Sequence, residues 1–150
     1  MATISGGDAL ERKLAELAAK IGEGKTLRVG FLEGATYPDG ELVSMVAAAN
    51  EFGNPGNNQP PRPYFRRMVA EKSPEWGSDL VKIAVATDYD AETLLPLMGE
   101  HIKGQLQESI REFTAPPLSP YTIKKKGFDK PLIESAQMLN SVDYDIEDGV

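Results

Sequence analysis

The clearest structural signal in this 150-residue chain is the stretch NSVDYDIE at residues 140–147. Apolar and acidic side chains alternate along it, as they do in a strand that buries one face. The apolar side holds Val142, Tyr144 and Ile146, and the acidic side holds Asp143, Asp145 and Glu147. We therefore predict a half-buried strand, and we favour a solvated acidic face over a site that chelates a hard cation.

A second strand is predicted at residues 26–32, TLRVGFL, where Leu27, Val29 and Phe31 share one face. Pairing it with residues 140–147 is the simplest way to bury both apolar faces. The two strands lie near the two ends of the chain, and the sequence between them is helical in pattern. This order predicts an α+β fold, in which a small antiparallel sheet packs against several helices.

Apolar residues recur at spacings of three and four through most of the remaining chain, as in amphipathic helices. They predict helices at residues 5–21, 41–51, 63–72, 74–86, 88–113 and 132–138, with one helical turn at 120–126. Proline bears on two of these helices, because it lacks the N–H that a helix interior needs. We expect Ser73 and Pro74 to divide the region between 63 and 86. We expect the 88–113 helix to be the longest, either kinked by Pro96 or beginning there.

The same periodicity assigns the side chains that should face inward. In the 41–51 helix they are Leu42, Met45, Val46 and Ala49, and in the 74–86 helix they are Trp76, Leu80, Ile83 and Ala84. The helix within residues 1–24 carries a stripe of its own, formed by Leu10, Leu14, Leu17 and Ile21. We expect residues 1–150 to form one domain, with this N-terminal helix at its periphery.

Composition excludes several classes of protein. The chain has no cysteine, which rules out disulfides, thiolate metal sites and cysteine nucleophiles. Its start, MATISGGDALERKL, lacks the basic and apolar regions of a secretory signal. No apolar stretch reaches the ~20 residues that cross a bilayer. The net charge of −7 disfavours tight binding to nucleic acid or to an anionic membrane.

No constellation of catalytic residues is visible in the sequence. The one histidine, His101, has no catalytic or metal-binding partner within one helical turn. The GKT at residues 24–26 follows a predicted helix and precedes a predicted strand, which is the reverse of the order in a phosphate-binding loop. We therefore predict that the protein is not an enzyme and that it has no catalytic residues, no cofactor and no bound metal.

An unusual segment, EFGNPGNNQPPRPYFRR, occupies residues 51–67. Residues 53–63 hold four prolines, two glycines and three asparagines, so we predict an irregular loop there. The segment interleaves arginine with aromatic residues, which is common in protein interfaces and equally suits nucleic acid. A loop whose aromatics fill the core while its arginines meet acidic neighbours would have the same composition. The interface and core interpretations are compatible, and the residues leave both open.

Six motifs stand in a fixed order along the chain: EFG at 51–53, PPRPYFR at 60–66, APPLSP at 115–120, TIKKKG at 122–127, DKPLIES at 129–135 and MLNSV at 138–142. In this order they resemble the neck and tail-completion proteins of tailed phages and prophages, a family related to lambda-like minor tail protein Z. The resemblance covers roughly residues 29–146. It implies a non-catalytic structural protein of the virion that forms a ring, often hexameric, where head and tail join.

The resemblance also implies partners and a location. The partners are other copies of the chain and the phage connector, tail-terminator or tail-tube proteins, with DNA only as passing cargo and no membrane. The location is the neck or head-proximal tail of the virion, after assembly in the host cytoplasm. An acidic chain suits a channel through which DNA slides, because like charges repel.

We expect the interface to use the loop after residue 53 and the segment 114–130, with the arginines pairing with carboxylates of an adjacent subunit. The expected interface residues are Asn54, Asn57, Asn58, Gln59, Arg62, Tyr64, Arg66, Arg67, Lys124, Lys125 and Lys126. The alternative is a nucleic-acid-binding accessory protein of a phage or prophage, which would use the same arginine and lysine clusters.

Overall fold

A computed structural model gives the fold and describes residues 7–21, 24–112 and 136–149. The elements in chain order are α1 (Gly7–Ile21), β1 (Lys25–Phe31), α2 (Val43–Phe52), α3 (Tyr64–Ala86), α4 (Ala91–Glu112), α5 (Ala136–Asn140) and β2 (Val142–Asp148). A single 3-10 turn, Pro55–Asn57, lies between α2 and α3. The predicted α+β class, with a small antiparallel sheet packed against helices, is confirmed.

The sheet consists of β1 and β2 paired antiparallel, as predicted. Apolar residues oppose apolar residues in three pairs, Leu27–Ile146, Val29–Tyr144 and Phe31–Val142. This register explains the pairing, because any shift by one residue would turn one apolar set towards water. Each strand lies within one or two residues of its predicted bounds.

The acidic side of β2 is exposed to solvent, as predicted, and its carboxylates also pair with cations. Arg28 on β1 donates to Asp145 at 2.6 Å from its Nη2 and lies 2.7 Å from Glu147. The hydrogen bond from Arg28 lowers the pKa of Asp145 below its ordinary value. Lys103 on α4 lies 3.4 Å from Asp143. Cross-strand pairs of opposite charge therefore reinforce the register that the apolar pairs set.

Helices α3 and α4 form an antiparallel hairpin. Asp90 caps α4, since its carboxylate accepts hydrogen bonds from the Glu92 N–H at 3.3 Å and the Thr93 hydroxyl at 2.8 Å. Three polar contacts join the helices along their length, Trp76 Nε1 to Gln105 Oε1 at 2.8 Å, His101 Nε2 to Asp79 Oδ2 at 3.0 Å and Ser109 Oγ to the Tyr64 carbonyl at 2.8 Å. The histidine is thus part of the helix pairing.

The hydrophobic core lies where α4 crosses the sheet and meets α2 and the start of α3. Its buried members are Val43, Ala47, Tyr64, Met68, Leu106, Ile110, Met138 and Val142. Phe31 packs edge-on against the Tyr64 ring, with 6.3 Å between ring centroids. The core therefore joins both strands to the first turns of α3.

The predicted break at Ser73 and Pro74 is wrong, because α3 runs through Pro74 without interruption. A proline inside a helix costs roughly 3 kcal/mol. Packing of the helix before and after the proline offsets this cost. Met68, which precedes Pro74, lies in the hydrophobic core, and Trp76, which follows it, packs against the core. At 23 residues α3 is also longer than α4, which has 22, so the predicted order of lengths is wrong. Pro96 lies in the second turn of α4 and does not begin it.

The predicted facing of α2 is partly wrong. Val43 and Ala47 are buried, whereas Leu42 and Met45 are exposed. Leu80 of α3 is exposed as well, contrary to its predicted inward position. The turn predicted at 120–126 and the first residues of the helix predicted at 132–138 lie outside the described residues. Among the described helices, none is both long and apolar enough to cross a membrane.

Gly99 lies where α4 packs closely against the sheet. A Cβ at this position would lie 2.6 Å from the ring of Tyr144 on β2. We expect Gly99→Ala to lower the free energy of unfolding by about 1–3 kcal/mol, because overpacking forces the ring or the helix to shift. The measurement is urea denaturation followed by circular dichroism.

Gly104 provides the matched control on the same helix, since a Cβ there would meet nothing within 4 Å. We expect Gly104→Ala to be neutral or to stabilise by up to about 1 kcal/mol, because alanine is the better helix former. Equal effects of the two substitutions would contradict the assigned contact between α4 and β2.

Candidate protein interface

The segment between α2 and α3 is a closed, hydrogen-bonded loop. The Asn54 N–H donates to the Gln59 carbonyl at 2.8 Å, and the Gln59 N–H donates to the Asn54 carbonyl at 3.0 Å. The 3-10 turn Pro55–Asn57 fills the space between these two residues. The prediction that residues 53–63 hold no regular structure is therefore corrected at its centre, because a turn and a β-bridge order it.

Asn50, buried near the end of α2, anchors this loop. Its side-chain oxygen accepts a hydrogen bond from Gln59 Nε2 at 2.9 Å, and its carbonyl accepts one from the Arg62 N–H at 2.7 Å. Its own amide donates back to the Val46 carbonyl at 3.1 Å. The Gln59 amide, predicted to face a partner, is thus bonded within the chain.

Glu51 ties α2 to the start of α3. Its side chain is only 7% exposed, and its carboxylate accepts hydrogen bonds from the backbone N–H of Phe65 at 2.9 Å and of Arg66 at 3.1 Å. These N–H groups belong to the first turn of α3, where a helix has no internal acceptors. Pro63 precedes that turn and supplies no side-chain hydrogen bond. Glu51 therefore caps α3 from another helix.

Arg66 completes this arrangement from the solvent side. Its Nε donates to the Glu51 carboxylate at 2.8 Å, and its Nη2 donates to the Glu51 carbonyl at 3.2 Å. The guanidinium lies over the Phe52 ring, 5.1 Å from its centroid, at a distance that allows a cation–π interaction. Arg66 consequently holds the exposed Phe52 ring in place.

Arg66 and Arg67 each form an ion pair within the chain, and their pairing with carboxylates of an adjacent subunit stays a prediction. Arg67 pairs with Glu71 one turn further along α3 at 2.9 Å, a bond that raises the pKa of Arg67. Arg62 is buried, and its desolvation lowers the pKa of its guanidinium. Its Nε has no hydrogen-bond partner within the described part of the chain.

The remaining predicted interface residues divide into three groups. Tyr64 belongs to the core, where its hydroxyl donates to the Ala47 carbonyl at 3.3 Å and burial raises its pKa. Asn57 and Asn58 are exposed at the loop tip, and Asn58 adopts the left-handed conformation at φ 52°. The remaining three, Lys124, Lys125 and Lys126, lie outside the described residues.

One apolar surface was missed by the sequence reasoning. Met45, Ala48 and Phe52 follow one another at helical spacing on the solvent side of α2, and we call them the α2 outer face. Met45 is 64% exposed and Phe52 65%. The sequence did hold a signal, because α2 (VSMVAAANEF) is apolar on nearly every side. A helix of that kind is usually covered on all sides, so its exposed side is a candidate binding surface for another protein.

A cavity of about 260 Å³ lies beside the α2 outer face. Its walls are mainly aromatic and alanine residues, and Glu51 and Arg66 also line it. Such a concavity suits an apolar side chain of a partner, next to a group that would pair with Arg66. A second, open groove of about 630 Å³ separates α3 from α4 and is lined mostly by polar side chains.

Within residues 7–21, 24–112 and 136–149, no three histidine or carboxylate side chains lie close enough to hold a metal ion. The α2 outer face, the adjacent cavity and the braced loop therefore make up the candidate interface. In comparisons with protein-family models, with curated proteins and with solved structures, nothing matches this chain.

Proposed function

We propose that this protein is a structural component of a tailed-phage particle that forms a ring at the neck or at the head-proximal end of the tail. The observation that carries the proposal is an exposed apolar surface fixed in place by buried polar contacts. Phe52 is exposed, while its neighbours Asn50 and Glu51 are buried and hydrogen-bonded to the loop and to the start of α3. A surface held in this way loses little entropy on binding, as a component of a permanent assembly requires.

The phage assignment itself draws its support from the ordered sequence motifs between residues 51 and 142. The partners proposed on that basis are other copies of the chain and the connector, tail-terminator or tail-tube proteins. DNA would pass through the ring without being held, which agrees with the net charge of −7.

The nucleic-acid-binding alternative receives less support from the site. Binding to a phosphate backbone requires cations that are free to replace the counterions of the nucleic acid. Arg66 and Arg67 are each paired with a carboxylate of the same chain, and Arg62 is buried. The arginine cluster therefore offers little unpaired positive charge on the surface.

Electron microscopy tests the proposal. We expect the purified protein at high concentration to form closed rings of one size. Added to phage particles that lack it, the protein should appear at the junction of head and tail. Retardation of DNA in a gel, with a steep dependence on salt and without ring formation, would instead favour the accessory-protein alternative.

A further inference from the structure

We propose that α1 of one copy packs onto the α2 outer face of the next copy, so that each copy both donates a helix and receives one. This inference rests on the proposed ring-forming function and names the surfaces that would build the ring. It joins two apolar surfaces that the fold of a single chain leaves uncovered.

The donated surface is the apolar stripe of α1. Leu10 and Leu14 are 61% and 55% exposed, and Leu17 continues the same stripe one turn later. None of these leucines belongs to the core cluster that α2, α3, α4 and the sheet share. A helix of 15 residues is marginal in water by itself, so its apolar stripe requires a partner surface.

The receiving surface is the α2 outer face together with the cavity beside it. Met45 and Phe52 stand at the ends of the α2 outer face, and Ala48 between them lets a second helix approach closely. The adjacent cavity of about 260 Å³ is below the roughly 300–1,000 Å³ typical of small-molecule sites. Its aromatic and alanine lining suits a protruding leucine of the donated helix.

One edge of the α1 stripe and one edge of the α2 outer face carry opposite charges. Arg66 borders the cavity, and its side chain is 58% exposed even though it bonds to Glu51. Its guanidinium has five N–H donors, of which the contacts to Glu51 use two. On α1, Glu11 adjoins the stripe, one residue after Leu10 and three before Leu14. Docking the stripe on the outer face would bring this carboxylate towards Arg66.

The two surfaces differ, so their contact is head-to-tail. Contacts of this kind close into a ring when the rotation between copies divides a full turn, and otherwise build a filament. A second copy is the occupant that fits best, because the chain itself carries both halves of the contact.

The absence of cysteine from the chain allows a direct test by disulfide formation. We expect Leu14→Cys mixed with a separate chain carrying Met45→Cys to give a crosslinked dimer under mild oxidation. The double variant with both substitutions should give a ladder of crosslinked species. As a matched control, Glu16→Cys replaces Leu14→Cys, since Glu16 lies on the opposite side of α1 and should give no ladder.

A second measurement does not depend on introduced thiols. Leu14→Glu should raise the dissociation constant of self-association about thirtyfold or more, as expected for the loss of an interface anchor. Glu16→Ala should leave it unchanged, and both variants should keep the circular dichroism spectrum of the original protein because both positions are exposed.

The outcomes separate the inference from the proposed function. Rings that persist in Leu14→Glu, or crosslinks that form only within one chain, would overturn the docking of α1 on a neighbour while leaving the ring itself intact. A protein that stays monomeric at every concentration would overturn both proposals. Crosslinks between separately substituted chains, together with the loss of rings in Leu14→Glu, would establish the contact.

Discussion

Glu51→Ala is expected to lower the free energy of unfolding by about 2–4 kcal/mol, through loss of a helix cap and exposure of unpaired donors. The substitution removes the acceptor of the Phe65 and Arg66 N–H groups at the start of α3. It also frees the Arg66 guanidinium, which then no longer holds Phe52. Because Arg66 reaches water, most of the cost comes from the two backbone groups.

Urea denaturation of the purified variant measures this effect, and Glu71→Ala is its matched control. Glu71 also pairs with an arginine of α3, but both partners are exposed, and pairs of that kind contribute little. We expect Glu71→Ala to leave the midpoint of unfolding unchanged and Glu51→Gln, which keeps one acceptor oxygen, to fall between Glu51→Ala and the original protein. Equal midpoints for Glu51→Ala and Glu71→Ala would show that Glu51 is not the cap of α3.

Gly53→Ala is expected to destabilise the protein by about 3 kcal/mol or more, through backbone strain and overpacking together. Gly53 has φ 78° and ψ 169°, a conformation that residues with a side chain rarely adopt. A Cβ there would lie 2.8 Å from both the Gln59 carbonyl oxygen and the Pro61 nitrogen. These are backbone atoms of the closed loop, so the loop must open to admit the methyl group.

Gly56, in the same loop, provides the comparison for this variant. Its backbone lacks the positive φ of Gly53, and a Cβ would approach only the Asn54 side chain, at 3.4 Å. We expect Gly56→Ala to change the melting temperature little and Gly53→Ala to lower it by many degrees. A Gly53→Ala protein that melts with the original would mean that the loop is not closed as described.

The sheet could be predicted from sequence because its signal is local and repetitive. Alternation along β2, matched by Leu27, Val29 and Phe31 on β1, excludes registers shifted by one residue, because these would expose one of the apolar faces. The capping of α3 by Glu51 could not be predicted in the same way. It depends on the path of the loop, which returns Arg66 to Glu51 across fifteen residues of chain. No periodic pattern in the sequence indicates this contact between Glu51 and Arg66.

The orientation of α2 and the continuity of α3 show a second limit of structure prediction from sequence. Alanine and other small apolar residues surround α2, so periodicity did not distinguish Val43, which is buried, from Met45, which is exposed. Pro74 marked a break by local rules, but α3 continues because its packing before and after the proline outweighs the local cost. In both places tertiary packing decided between local alternatives.

The described structure brings together only part of the predicted interface. Asn57, Asn58 and the Arg66 guanidinium remain on the surface, where the guanidinium lies over the Phe52 ring, whereas Tyr64 and Arg62 are buried. The loop therefore supports α2 through its hydrogen bonds and is not itself the main contact surface. In the proposed interface, the apolar residues of the α2 outer face would supply most of the binding energy.

Electron microscopy of the purified protein across a range of concentrations distinguishes the proposed ring from a monomer, because the two differ in images without any labelled partner. We expect closed rings with one fixed number of subunits. A uniform population of monomers at every concentration, from protein that is folded by circular dichroism, would contradict it.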